Sequence, residues 1–188
     1  MGGVLIGSHQ DTKDELIAAI DRHDVGHIKE IFWRAKEEEK RDLANARDRD
    51  GYPILQKMVL RRDTELFDFL GENGADPNQS NRYGQAAVHL VAIYGYKEFA
   101  ERLVKMGARF ERDKNGYWPS SLASNWYKKT EDPVYEEIRV LFKQQEKEQE
   151  RAHAAPPQLQ HQKLLRGQRA AAPNAAPSKN VRGKIKAI

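Results

Sequence analysis

The residues with chemical potential in this 188-residue chain begin with His23-Asp24-Val25-Gly26-His27. Two imidazoles four residues apart with an acid between them would suit a zinc ion, provided both rings share one helical face. Gly26 works against a helix interior here, and the acid is Asp rather than the longer Glu. Leu16, Ile17, Ala19 and Ile20 fall at helical spacing before the string, and Ile28, Ile31, Phe32 and Ala35 after it. That places His23 and Asp24 in a turn between two helices, with the histidines solvated and no metal. The carboxylate runs Glu37-Glu38-Glu39 and Glu136-Glu137 read as solvated helix faces. No Gly-rich phosphate loop and no G-x-S-x-G nucleophile turn occurs. The expectation is a protein that is not an enzyme and holds no cofactor and no metal.

Composition narrows the setting. There is no cysteine, so disulfides, thiolate zinc sites and cysteine nucleophiles are excluded. This fits a reducing compartment, and an intracellular, cytoplasmic location is expected, with the nucleus or a host cell as alternatives. No apolar run is long enough to cross a membrane. MGGVLIGSHQ lacks a basic lead and a small-residue cleavage site. Gly2 invites a myristoylation reading that Ile6, in place of Ser or Thr, argues against.

Charge is uneven. The chain has Lys+Arg 32 against Asp+Glu 28, yet residues 151–188 hold 8 basic and no acidic residues, which leaves 24 basic against 28 acidic in 1–150. A mildly acidic body therefore joins a basic tail. Pro156-Pro157, Pro173 and Pro177 interrupt that tail, and its Ala, Pro and Gln content predicts disorder over 151–188. Arg166, Arg169, Lys179, Arg182, Lys184 and Lys186 could meet phosphates of nucleic acid or an anionic membrane. Their density is low and no aromatic is interleaved for base stacking, so a solvated linker or short linear motif is favoured.

The elements that must position everything else lie in 48–114. Gly51 is matched by Gly84, Gly74-Ala75 by Gly107-Ala108, Leu55 by Val88 and Leu66 by Phe99, at a period of ~33 residues. The first copy keeps Gly51, Leu55, Glu65, Leu66, Leu70, Gly74-Ala75-Asp76 and Asn78. The second keeps Gly84, His89, Ala92, Gly95, Glu98, Leu103 and Gly107-Ala108. Together they resemble ankyrin repeats, whose pattern runs roughly G-x-T-P-L-H-x-A-A, then G-H-x-E-I-V, then L-L-x-x-G-A-D-x-N. The copies depart from it at Pro53-Ile54 and Gln56, at Ala86-Ala87 and at Arg109. A third copy starts at Asn115-Gly116, with Pro119 and Leu122-Ala123, and diverges after Trp126.

The resemblance implies an all-α fold: an ankyrin-repeat solenoid of three to four stacked helix-turn-helix units with finger loops. The bounds are a disordered lead-in at 1–11 and a repeat domain at 12–150. Within it lie an N-terminal capping repeat at 12–47, repeat one at 48–80, repeat two at 81–113, and a divergent repeat with a capping helix at 114–150. Asp14 or Thr12 would cap the first helix. Lys36–Asp42 is an insertion expected to prolong the second helix. Turns are expected at Arg62-Asp63 and Gly95-Tyr96, and left-handed helix ends at Gly74 and Gly107. Leu55, Val59, Leu66, Phe69, Leu70, Val88, Ala92, Phe99, Leu103 and Val104 read as core. A short helix from Pro119 to Asn125, an irregular turn at 127–131 and a helix capped by Asp132-Pro133 follow. Beyond Gln144 the helix reads as polar all round. By the resemblance, His89 ties neighbouring repeats together rather than catalysing.

The resemblance also implies a concave recognition groove. Carried onto it are Arg49, Asp50, Tyr52, Leu60 and Arg61 from repeat one. Repeat two adds Arg82, Tyr83, Gln85, Ile93 and Tyr94, and the third adds Lys114, Asn115, Tyr117, Asn125 and Trp126. Tyr, Trp and Arg are the residue types that dominate interface energetics. The expected function is non-catalytic binding of another protein, as adaptor, inhibitor or effector, by a monomer with no small-molecule substrate. The alternative is a regulator or host-acting effector whose basic tail binds nucleic acid or an anionic membrane.

Overall fold

A computed structural model describes residues 9–154, and every regular element among them is an α-helix. They are α1 (His9–Arg22), α2 (Val25–Arg34), α3 (Glu37–Ala44), α4 (Ile54–Arg61), α5 (Thr64–Glu72), α6 (Ala87–Tyr94), α7 (Lys97–Lys105), α8 (Pro119–Thr130) and α9 (Pro133–Ala154). Residues 1–8 and 155–188 lie outside the described part, and with them most of the expected lead-in and tail. Residues 9–11 of the expected lead-in belong to α1, which places Thr12 and Asp14 inside the helix and not at its cap. Gln10 donates to the Asp14 carboxylate at 3.1 Å, one helical turn on.

The chain divides into two compact units, 1–149 and 150–188. In the first, α1 packs on α2, α4 on α5 and α6 on α7, while α6 also packs on both α4 and α8. Most helices bury one apolar stripe against a partner, while α6, packed on three neighbours, is buried nearly all round. Edge-to-face phenylalanines join successive pairs: Phe32 with Phe69 at 5.1 Å, Phe67 with Phe99 at 5.1 Å, and Phe110 with Phe142 at 5.0 Å. Such pairs add roughly 0.5–1.5 kcal/mol beyond burial. Of the expected core residues, all are buried except Phe69 and Val104, which are partly buried; Phe67, beside Phe69, takes the fully buried place.

Three turns share one construction. Asp48 Oδ1 accepts the N–H groups of Asp50 and Tyr52. Asn81 Oδ1 accepts those of Tyr83 and Gln85. Asp113 Oδ1 accepts those of Asn115 and Tyr117. Gly51, Gly84 and Gly116 follow at φ of 80°, 74° and 82°, a region closed to most side chains. A short side-chain oxygen and a glycine are thus both needed, and the sequence supplies them at matching places.

Three expectations are corrected. Lys36–Asp42 does not prolong α2. Ala35 and Lys36 are extended, at ψ of 147° and 156°, and a separate helix starts at Glu37. The Lys36 N–H donates to Glu39 Oε2 at 3.2 Å, and three glutamates in the first turn favour the positive end of the helix dipole. Second, α8 runs to Thr130, and a tight left-handed residue, Glu131 at φ 57°, replaces the irregular turn. Asp132 then caps α9 through the Val134 N–H at 3.0 Å. Third, α9 is not polar all round. Glu146 is buried, and Gln149 accepts from the Phe110 N–H and donates to the Ala108 carbonyl.

Candidate functional site

The sequence-predicted recognition residues sit on the three turns, on the C-terminal ends of α4 and α6, and in the middle of α8. The turns are tied to one another. The Arg47 guanidinium donates to the carbonyls of Gly51 and Ser80, both at 2.9 Å. Gln56 Nε2 donates to the carbonyls of Gln79 and Gln85, both at 2.8 Å. His89 stands at the matching place of the next copy. Its Nδ1 accepts the Ala86 N–H at 3.1 Å, which leaves the proton on Nε2. That nitrogen is buried without a close partner but lies within electrostatic reach of the Glu111 and Tyr117 carbonyls. Burial holds the His89 pKa below its ordinary value, so the ring is neutral and structural.

On this frame the candidates fall into two clusters. In the turns, Arg49, Arg82 and Lys114 are exposed and Tyr52 is half-buried, while Tyr83 and Tyr117 are 46% and 47% exposed. The Arg82 guanidinium lies 5.0 Å from the Tyr83 ring centroid. Lys114 Nζ donates to the Arg82 carbonyl at 2.8 Å. Gln85 serves the frame, since its N–H and carbonyl are both consumed by the turn.

The second cluster lies at the ends of α4 and α6 and in the middle of α8. Leu60 is exposed, and Tyr94 is 47% exposed and stacks on Tyr96 at 5.7 Å. Ile93 is half-buried, and its carbonyl accepts the Tyr135 hydroxyl at 3.3 Å. Trp126 is half-buried, stacked on Tyr135 at 6.3 Å with Lys129 Nζ 4.9 Å from its ring. Asn125 is exposed. Arg61 is exposed but engaged: its guanidinium donates to the Ile20 carbonyl and, at 3.4 Å, to that of Asp21, at the end of α1. Trp126 and Arg61 therefore hold helices together as well as facing outward.

The histidine string forms the expected turn. His23 is left-handed at φ 57° and Asp24 caps α2 through the His27 N–H at 3.0 Å. His27 lies between Glu15 at 2.9 Å and Glu30 at 3.4 Å, while His23 faces Asp63 at 3.6 Å. The two rings look at different carboxylates. Among the described residues, no group of three or more His, Cys, Asp or Glu is placed to hold a metal ion, and no helix is long and apolar enough to cross a membrane.

Sequence reasoning missed several residues. Tyr135 is the platform under Trp126, and a Cβ at Gly95 would approach its ring to 3.0 Å. Trp33 is 84% exposed on α2 and Val140 53% exposed on α9. The register of Ile28, Ile31 and Phe32 points Trp33 outward, so its signal was present. Val140 borders a groove of about 600 Å³ between α7 and α9, with Lys97, Glu101, Glu136, Glu137 and Leu141. Ion pairs recur between residues roughly one period apart: Lys29 with Glu65, Arg62 with Glu98 and Arg102 with Asp68. Lys57 pairs with Asp21 at 2.6 Å and Asp48 at 3.2 Å. Burial works to lower its pKa, but these two bonds hold the ammonium above its ordinary value. The basic residues Arg166 to Lys186 lie outside the described residues.

Comparison with known proteins finds no family model that matches. The human protein phosphatase 1 regulatory subunit 27 is 32% identical over 94 residues, covering 50% of this chain and 56% of that protein. The potassium channel AKT1 of Oryza sativa subsp. japonica is 33% identical over 86 residues, 45% of this chain and 8% of the channel. The yeast oxysterol-binding protein homolog 1 is 30% identical over 81 residues, 43% of this chain and 7% of that protein. The chain thus spans about half the length of the phosphatase subunit and a small share of the other two. What it shares with them is a stretch of under a hundred residues, compatible with a role in protein interaction.

Proposed function

We propose that these helices form an ankyrin-type solenoid whose turn-and-helix-end surface binds another protein without catalysis. The period of ~33 residues supports the scaffold, as do the three turns built alike on Asp48, Asn81 and Asp113. The observation that carries the binding role is the row of Leu60, Tyr83, Tyr94 and Tyr117, each 38–47% exposed on a rigidly bonded frame. Large side chains left in water on rigid elements mark interaction sites. One relative is named as a phosphatase regulatory subunit, which is consistent with a binding partner that is itself a protein. The protein acts as a monomer inside the cell; the lack of cysteine fits a reducing compartment. Whether it serves as adaptor, inhibitor or effector follows from the partner.

The test is capture of partners from lysate on immobilised protein, read by mass spectrometry. Tyr83→Ala with Tyr94→Ala is compared with the wild type and with Trp33→Ala on α2. Loss of captured proteins in the tyrosine variant alone is the expected result. Equal capture by all three overturns the reading. A chain ending at residue 154 retains its partners if the helices do the binding, and loses them if the basic tail does.

A further inference from the structure

The three turns share more than their construction. Each carries one outward cation directly after its capping residue: Arg49 after Asp48, Arg82 after Asn81 and Lys114 after Asp113. Each also carries a tyrosine beside its glycine: Tyr52, Tyr83 and Tyr117. The rungs are contiguous. Arg47 bonds the first turn to Ser80 at the start of the second, and the Lys114 N–H and Nζ reach the Tyr83 and Arg82 carbonyls, at 3.4 and 2.8 Å. Two of the carboxylates at hand are turned inward, since Asp48 and Asp113 accept backbone N–H groups. Glu111 pairs with Arg109 at 3.6 Å, which leaves Asp50 as the carboxylate within the row.

A line of like charges repels itself and is relieved by a ligand of opposite sign. It stands on a body, residues 1–150, with 24 basic against 28 acidic residues, so the local sign is reversed. Packed helices stand about 8–10 Å apart, and a segment extended as polyproline II, with three residues per turn, brings a side chain back to the same face about 9 Å further on. Carboxylates at every third residue would therefore meet successive rungs. Resting on the protein-recognition reading above, we propose that Arg49, Arg82 and Lys114 bind an extended acidic segment of the partner protein, whose apolar side chains cover Tyr52 and Tyr117, while Arg82 itself covers Tyr83. Nucleic acid is disfavoured: Arg82 already covers the Tyr83 ring, which a base would need for stacking, and a charge at every nucleotide is repelled by the acidic body more than a short segment charged at every third residue.

The experiment is fluorescence anisotropy of the full chain with a fluorescein-labelled Glu-Ser-Leu repeat peptide. A Lys-Ser-Leu repeat peptide and polyuridine serve as comparison probes. The acidic peptide binds, and binding weakens with salt. Arg82→Glu with Lys114→Glu lowers its affinity about tenfold or more. Because Lys114 also packs on Gly84, Arg49→Glu alone, at a rung free of that contact, provides a second variant with a smaller loss. The proposal is overturned if the acidic peptide fails to bind, if the basic peptide or polyuridine binds as tightly, or if neither variant weakens it. Lysate capture separates the two readings. If the tyrosine variant loses proteins that the charge-reversed variant keeps, recognition by this face stands and the acidic preference falls. If neither variant loses any, both fall.

Discussion

At the N-terminal end of the described helices Glu15 bridges Arg34 at 3.0 Å and His27 at 2.9 Å across α1 and α2. At the other end, α9 buries Glu146 against Ser120, with its carboxylate accepting the backbone N–H at 3.0 Å and the hydroxyl at 2.7 Å. Both are single glutamates joining two helices. Glu15 is 40% exposed on its side chain and Glu146 1%. An exposed pair is screened by water and contributes little. A buried carboxylate that closes the open N-terminus of α8 satisfies donors that water cannot reach. The N-terminal unit therefore rests on its apolar contacts, Leu16, Ala19, Ile20, Ile28 and Phe32, and its charges are replaceable. The C-terminal closure adds to its apolar contacts, Ile138 and Phe142, a buried carboxylate that cannot be removed without stranding donors.

The comparison can be broken most directly at Glu146. Glu146→Ala should lower stability by about 3 kcal/mol in urea unfolding, because Ser120 keeps two buried donors without acceptors. Glu15→Ala should lower it by only about 0.5 kcal/mol. Equal effects would show that the two closures are alike.

Glycine replacements sharpen it within the turns. A Cβ at Gly84 would lie 2.5 Å from Lys114 Cγ and 2.9 Å from its backbone nitrogen, at φ +74°. Gly107, at φ +76°, has nothing within 4 Å. Gly84→Ala should cost about 2–3 kcal/mol and Gly107→Ala about 1–2, the left-handed penalty alone. Thermal melts that rank them the other way would mean the turns yield more easily than their bonding indicates.

His89 provides a pH test. Its folded pKa is depressed by burial, so between the folded value and the ordinary 6.5 the unfolded chain binds the extra proton. The stability it supports is full above about pH 6.5 and falls as pH drops below it. His89→Gln, which copies Gln56 in the first turn, should flatten the decline in melting temperature between about pH 7.5 and pH 5. Parallel curves for the two proteins would remove that assignment.

The smallest effect is salt. Raising ionic strength to about 1 M, where screening acts over about 3 Å, should speed amide exchange slightly in α1 and α2 and leave α9 near Glu146 unchanged. Uniform changes along the chain would blur the contrast.

The local rules of the chain were readable from residue types. Gly51, Gly84 and Gly116 announce left-handed backbone, Asp132-Pro133 announces the start of α9, and Gly95 and Arg62-Asp63 mark turns that the structure closes in left-handed form. The candidate surface was half readable. Exposure of Leu60, Tyr83, Tyr94 and Tyr117 was implied by the resemblance, but the engagement of Arg61 by α1 and of Trp126 by Tyr135 was not. Each of those contacts joins residues far apart in the chain, and neither partner has a local signal pointing to the other.

What the amino-acid order determines alone is therefore where the backbone must bend and which stripe of each helix avoids water. Periodicity and glycine placement act over a few residues, so they are written locally. What only tertiary structure decided is which polar groups are buried. Glu146 and Gln149 look like solvent residues in KQQEKEQERAH, and only the approach of Ser120 and Phe110 buries the first and half-buries the second. The break at Ala35-Lys36 has the same origin. The acidic run favours a helix from either starting point, and burial of Leu43 and Ala44 against the core selects the separate one.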